Sequence, residues 1–455
     1  MKTSFNTSVN LSLSNQANSS DAGALLVREV LENSQVMNFL ADHLTDSRDP
    51  VRIVHSLTSQ MRTVILQRAL GWFDQSDTQV LAGDPLWHLA CSDARGLTPL
   101  EQSRPSQATL SRLLTALSQT DSNLNTLHEG LLKLAVWRWN QQPRLVRPHI
   151  LTLDIDGLPV EVFGHQSGSS YNGYASARIY SPLIASLAET GDLLGGLLRE
   201  GNAGPAKDAA TWIPHLVEQL EKNLQRHRYQ IRVRIDAGFT DNNTLSALEE
   251  KDIHYLGRLK GNSRLQKLAQ PYLKRPVGRP SDELREWCHD LSYQADSWAN
   301  PRRVVLVVQE KPDDLFLHAF FIVTNLQEYE CSAEQLLDLY RKRGKAEAHM
   351  GELKSTLDLH LPSTNRGAST VQQVMARNQV NLLLSLYAYQ LMHSLRYLME
   401  EKTGNGWSLR RLREQLLKVA ATLTVHARQI KVNLGAAANK WWPILLEALY
   451  RPQTE

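Results

Sequence analysis

Along residues 21–140 apolar side chains recur at three-to-four spacing in AGALLVREVLENSQVMNFLADHL, DPVRIVHSLTSQMRTVILQRALGWF and NTLHEGLLKLAVWRW, which predicts a mostly helical region. Thr98 before Pro99 and Ser106 after Pro105 read as two further helix starts between the second and third stretches. Two short helices there would present Gln107, Ser111, Arg112 and Thr115 to a DNA groove if they formed a helix-turn-helix; a plain packing pair is the more ordinary reading. QQPRLVRPH, residues 141–149, carries two prolines and reads as a linker. Beyond it the period falls from 3.6 to 2. Leu151, Leu153 and Ile155 alternate with Thr152, Asp154 and Asp156, the pattern of a strand with one apolar side and one side that ends in two carboxylates. VEVFG and YASARIYSPLIASLA predict a second and a third strand, and AATWIPHLVEQLEKNLQRH a helix crossing the sheet. In IRVRIDAGF the alternation returns, with Ile231, Val233 and Ile235 opposed to Arg232, Arg234 and Asp236, and Thr240 or Asp241 placed to cap the next helix.

LLDLYRKRGKAEAHMGELKSTL, residues 336–357, reads as one helix. Ser332 and Gln335 have capping-box spacing ahead of it, and Leu336, Leu337, Leu339, Met350, Leu353 and Leu357 supply an apolar side. At about 100° per residue, Tyr340, Arg343, Glu347 and Lys354 share an arc of roughly 60°. The order β-β-β-α-β-α-β followed by an acid-bearing helix is that of an RNase H-like fold. Asp236 and Glu347 are farther apart than a strand and a helix need, so an insertion is expected between them, with strand-like runs RRVVLVVQE and LFLHAFFIVTN. The expected class is α/β: a loose arm over 1–20, a helical DNA-binding domain over 21–140, an RNase H-like catalytic core over 150–259 and 332–400, a β-rich insertion subdomain over 260–331, and C-terminal helices over 401–455.

Bulk composition narrows the partners. The 455 residues are 42% hydrophobic and 21% charged, and no apolar run approaches the roughly 20 residues of a membrane span. Cys91, Cys288 and Cys331 are too few and scattered for a disulfide framework or zinc knuckle, so a reducing cytoplasm is expected. A net charge of +3 says little, but its distribution says more. No acid lies between Asp252 and Asp282, where Arg258, Lys260, Arg264, Lys267, Lys274, Arg275 and Arg279 fall, and from Lys402 to Lys431 the one acid is Glu414. Basic stripes on a nearly neutral chain suit the binding of a polyanion.

The spacing of Tyr340, Arg343, Glu347 and Lys354 resembles the Y-R-E-K signature of a group of DDE transposases from bacterial insertion sequences. The setting of Asp236 in IRVRIDAGF, the run GHQSGSSYNGY after the first strand, and the cluster Arg377, Asn378, Gln379 and Asn381 are similar to stretches of the same family. The resemblance implies that Asp156, Asp236 and Glu347 are the catalytic, metal-binding carboxylates, and that Tyr340, Arg343 and Lys354 bind DNA phosphates. Leu158 stands where the family usually has a hydroxyl residue, so either Asp156 or Asp154 could be the first ligand, with Asp156 preferred. An all-oxygen donor set suits two Mg²⁺ ions, with Mn²⁺ as a substitute. Expected partners are double-stranded DNA, both transposon inverted repeats and target, and a second copy of the chain. Trp287 and Trp298 are candidates for stacking on an unpaired base, and KRPVGRP for a minor-groove contact. The alternatives are a metal-dependent structure-selective nuclease and a non-catalytic DNA-binding repressor derived from a transposase.

Overall fold

The computed structural model describes residues 8, 16–224, 229–275, 282–312, 314–356, 359, 361 and 370–450. Met1–Ala116 with Tyr387–Glu455 form one compact unit and Leu117–Leu386 a second. In the first unit every residue of the helix Leu57–Leu70 is buried. Asp21, also buried, accepts hydrogen bonds from the indoles of Trp72 (2.8 Å) and Trp87 (3.1 Å) and from Lys418 (2.8 Å). That helix lies among Gly23–Asn33 and Pro85–Cys91 because these elements meet through apolar faces such as Leu26, Val30, Ile65 and Leu86.

Two expectations change in this unit. The segment 401–455 is not all helical: Ala421–His426 and Gln429–Leu434 pair as an antiparallel hairpin. Thr422, Thr424 and Val425 face Asn433, Lys431 and Ile430 across it, and β-branched residues favour a pleated surface. Ala427 and Arg428 both take positive φ (48° and 63°), as a two-residue hairpin turn demands. The supposed loose arm is fastened at its end, where Asn18–Ser19 adds to the hairpin beside Ala421 and Thr422.

The second unit is built on strands β1 (Ile150–Gly157), β2 (Val160–Glu161), β3 (Ser170–Asn172), β4 (Ala177–Tyr180), β5 (Leu183–Leu187), β6 (Leu193–Leu197), β7 (Gln230–Ile235), β8 (His254–Leu259), β9 (Arg285–Tyr293), β10 (Arg302–Glu310) and β11 (His318–Thr324). Eight of them form one sheet in the order β9-β10-β11-β8-β7-β1-β5-β6, and the other three a small sheet, β2-β4-β3. β1, β7 and β8 run parallel, while β5 is antiparallel to β1 and β6 to β5. Helices α1 (Asp121–Asn140) and α2 (Ala209–Leu224) bring Leu132, Trp139, Ile213 and Val217 onto the same core as Leu151, Leu153, Ile231 and Val233. Helices α3 (Asn242–Glu250), α4 (Ala333–Arg341), α5 (Gly344–Thr356) and α6 (Val371–Thr403) follow, and no helix among the described residues is long and apolar enough to cross a membrane.

The run YASARIYSPLIASLA is two strands, because Pro182 has no N–H to continue a ladder. Its second half, β5, is what pairs with β1, whereas VEVFG contributes only the short β2 of the small sheet. The insertion does not stand apart as a subdomain. β11 hydrogen-bonds to β8 with Phe321 opposite Leu259, so β9–β11 continue the main sheet. On the far edge, the Gln379 side chain accepts from the Leu198 N–H (2.6 Å) and donates to the Gly196 carbonyl (2.8 Å), and Asn378 donates to the Tyr180 hydroxyl (3.2 Å). Gln379 thus satisfies two backbone groups at the edge strand β6.

Arg138 of α1 and Asp192, just before β6, form an ion pair with side chains 2% and 1% exposed, and the Thr190 hydroxyl donates to the same carboxylate (2.6 Å). Removing one member of such a pair leaves a buried, uncompensated charge. Asp192→Asn is therefore expected to destabilise this unit by about 3–5 kcal/mol, read as lost hydrogen-exchange protection of the β1 and β5 amides with little change in the helix Leu57–Leu70.

Candidate active site

The site grows out of the register between β1 and β7. Thr152 lies opposite Arg232 and Asp154 opposite Arg234. Side chains two residues apart share a face, so one face carries a ladder of rungs. In the first, Arg232 donates to the Thr152 hydroxyl (2.9 Å). In the second, the Arg234 fork donates to both Asp154 oxygens (2.5 and 2.7 Å). The ladder stops there, and one step beyond it Asp156, near the end of β1, and Asp236, just after β7, are close enough for their charges to interact, at the carboxyl ends of two adjacent parallel strands, where open α/β sheets hold their ligands. This third rung is acid facing acid.

Each carboxylate is held by its own backbone. Asp156 accepts from the Gly157 N–H (2.9 Å) and Asp236 from the Gly238 N–H (2.7 Å). A Cβ at position 238 would lie 2.8 Å from Pro205 and 2.9 Å from the Asp236 carboxylate, so the chain passes too close for any larger residue. Asp241 then caps α3 by accepting from the Asn243 N–H.

The cation missing from the third rung comes from the 336–357 stretch. That stretch is two helices: α4 ends at Arg341, Lys342 and Arg343 form a turn, and α5 begins at Gly344. Four like charges in RKRGK and a glycine of low helix propensity favour a break there. The Ser332–Gln335 capping box is formed. Arg343 reaches Asp156 (3.0 Å) with one nitrogen and Glu347 (2.8 Å) with another. The guanidinium of Arg234 also donates to the Leu339 carbonyl, which fastens the end of α4 over the ladder. Tyr340 is half-buried against Leu336, Leu337 and Ile322. Lys354 is exposed, while Met350 and Leu353 of the same helix are buried.

Electrostatics follow this layout. Burial raises the Asp156 carboxyl most, Arg343 opposes it, and Asp236, the Gly157 N–H and Glu347 add smaller effects, leaving it pushed up to about 6. Arg343 is pushed above its ordinary value: burial works against its charge, and Asp156, Asp236, Tyr340 and Glu347 together outweigh that. Burial likewise raises Tyr340. Among the described residues no three His, Cys, Asp or Glu side chains converge into a metal-holding group; Arg343 joins Asp156 to Glu347. The donors still suit a hard divalent cation, being carboxylate oxygens only, with one oxygen-rich rung that lacks a sheet cation.

Asp154 is committed to the sheet: its side chain is 2% exposed and each of its oxygens accepts from Arg234. Trp298 is a core residue, edge-on to Tyr293 and beneath the Arg302 guanidinium at 4.6 Å, and so offers no face to a base. Trp287 is packed partly buried against the same core. The Gly-Arg-Pro part of KRPVGRP lies outside the described residues. Of the basic stripes, Arg264 pairs with Asp296, Arg275 with Glu310, Arg410 with Glu414 and Lys418 with Asp21. Arg234 and Arg232 were missed as organisers of the site. Their signal was the equal two-residue spacing of Thr152, Asp154, Asp156 and of Arg232, Arg234, Asp236, which becomes readable once the two strands are taken as parallel.

Among solved structures the chain is similar to a piggyBac transposase, determined by cryo-EM as a synaptic complex with hairpin DNA, at 11% identity and a TM-score of 0.45, over 97% of this chain and 86% of that one. No curated protein matches it in sequence. The family model described as transposase DDE domain group 1 matches residues 1–451. The chain therefore belongs to the DDE transposase domain family, group 1.

Proposed function

We propose that the protein cuts DNA at the inverted-repeat ends of a transposon and joins the freed 3′ hydroxyl to target DNA, acting as a homodimer. The observation that carries this reading is the third rung: Asp156 and Asp236 near each other at strand ends, with Glu347 linked to Asp156 by Arg343. The strand order β6-β5-β1-β7-β8, with β5 alone reversed among the five, supports an RNase H-like layout for the core. Asp156, and not Asp154, is proposed as the first ligand, with Asp236 and Glu347 as the others.

Bound Mg²⁺, or Mn²⁺ in its place, would activate the attacking oxygen and neutralise charge on the pentavalent phosphorus. The chain's own residues do the rest. Arg343 balances the carboxylates until a DNA phosphate competes for its fork. Tyr340 would donate a hydrogen bond from its hydroxyl to a phosphate oxygen, and exposed Lys354 would supply a second positive charge on the same helical pair. The Arg234–Asp154 pair keeps both strand ends and the end of α4 in one frame.

Glu347→Gln is expected to abolish Mg²⁺-dependent cleavage of DNA flanking the coding region while leaving end binding within about twofold; full cleavage by that variant would refute the assignment. Offering precut ends and a target plasmid distinguishes a transposase from a nuclease, because joined product appears only with the former. A second expectation follows from Asp156, whose carboxyl stands at about 6 against an ordinary 3.8. A carboxyl raised by folding contributes stability below its unfolded value and loses it as pH rises through the folded value. In EDTA, Asp156→Asn should thus be more stable than wild type by about 3 kcal/mol above pH 7, with the gain shrinking through the range 6 to 4 and absent at lower pH, as followed by thermal melts.

A further inference from the structure

The small sheet between Asp156 and β5 is unused by the chemistry above, yet it begins four residues after Asp156 and carries two exposed aromatics. Tyr174, at the β3–β4 turn, is 100% exposed and Tyr171, on β3, 66%. β3 is an edge strand, and Tyr171 lies directly opposite Arg178 on β4, so ring and guanidinium share a face. The tip is shaped, not loose: the Asn172 side chain accepts from the N–H groups of Tyr174 and Ala175, each at 3.0 Å. The base is tied down as well. The Tyr180 hydroxyl donates to the Ser167 carbonyl (2.6 Å), and the Gly201 N–H donates to the Gly168 carbonyl (2.9 Å). A Cβ on Gly201 would fall 2.1 Å from the Ile179 carbonyl, so the 199–205 loop is pressed flat against β4.

Charge points to the occupant. From Val162 to Ala188 there is no Asp or Glu, whereas His165 and Arg178 are basic and Ser167, Ser169, Ser170, Asn172 and Ser176 offer neutral hydrogen-bonding groups. Exposed rings beside a cation, on a hairpin that has no carboxylate of its own although Glu161 on β2 and Glu200 on the neighbouring loop flank it, suit unpaired bases on a phosphate backbone. We propose that the β3–β4 hairpin is a stacking surface for unpaired nucleotides of the DNA strand next to the cut, with Tyr171 and Tyr174 as its platforms. This rests on the DNA-cutting reading of the Asp156 site and adds to it the form of DNA that the site receives.

The test uses the full-length protein in EDTA and two probes: a blunt duplex, and the same duplex with an unpaired tail containing 2-aminopurine. Wild type should bind the tailed probe about tenfold more tightly and quench its fluorescence. The Tyr171→Ala/Tyr174→Ala variant should lose that preference and the quenching while binding the blunt duplex within about twofold of wild type. The Tyr171→Phe/Tyr174→Phe variant should keep both, because stacking needs the ring and not the hydroxyl. Equal binding of both probes by wild type, an undiminished preference in the alanine variant, or an equal loss on both probes would overturn the proposal. Metal-dependent cleavage without tail preference would sink this surface alone, and tail preference without cleavage would sink the catalytic reading and leave the surface standing.

Discussion

The buried pair of Asp154 and Arg234 is the constraint on which the candidate site depends. Both side chains are almost fully withdrawn from water, where an unmatched charge would cost several kcal/mol. The arrangement is tolerable because the fork of Arg234 is matched to both carboxylate oxygens and its remaining nitrogen donates to the Leu339 carbonyl. A pair of that kind adds little net stability compared with apolar residues, but it punishes any change of register. If β1 slid by one residue against β7, both charges would lose their partners, and Asp156 would leave the side of Asp236. The pair therefore acts as a pin through two strands and the end of α4.

Once the register is pinned, the third rung is electrostatically unfavourable by construction. Asp156 is mostly buried and, to a lesser degree, feels Asp236 beside it, and it answers by holding its proton more tightly than a free aspartate. Arg343 relieves part of this from outside the sheet. Its link to both Asp156 and Glu347 means that three elements, β1, the α4–α5 turn and the first turn of α5, are tied by one guanidinium. Glu347 is also in the first turn of α5, where the unsatisfied N–H groups of a helix favour negative charge.

Much of this frame was legible from residue order. The alternation in ILTLDID and IRVRID placed Asp156 and Asp236 on strand ends, and the Ser332–Gln335 spacing located the start of α4. What the sequence hid was partner choice. Asp154 and Asp156 have the same alternation and the same chemistry, and only the parallel register, which gives one of them Arg234, separates them. The same limit applies to Trp298, whose burial depends on Tyr293 and on Arg302, the latter held in turn by Glu249. The C-terminal hairpin was missed because the helical period of LRRLREQLLKVAA runs directly into ATLTVH, and no glycine or proline marks the change.

The break between α4 and α5 gives the three carboxylates unequal freedom. Asp156 and Asp236 sit at the ends of strands in the centre of an eight-stranded sheet, each braced by a following backbone N–H. Glu347 follows a two-residue turn, its side chain is 61% exposed against 22% for Asp156, and its nearest bond is to Arg343. Farther along α5, Met350 and Leu353 are buried, so the exposed first turn that carries Glu347 precedes an anchored second half. The aspartates are thus braced by the ladder beneath them, whereas Glu347 is held through Arg343, which ties the first turn of α5 to the end of β1.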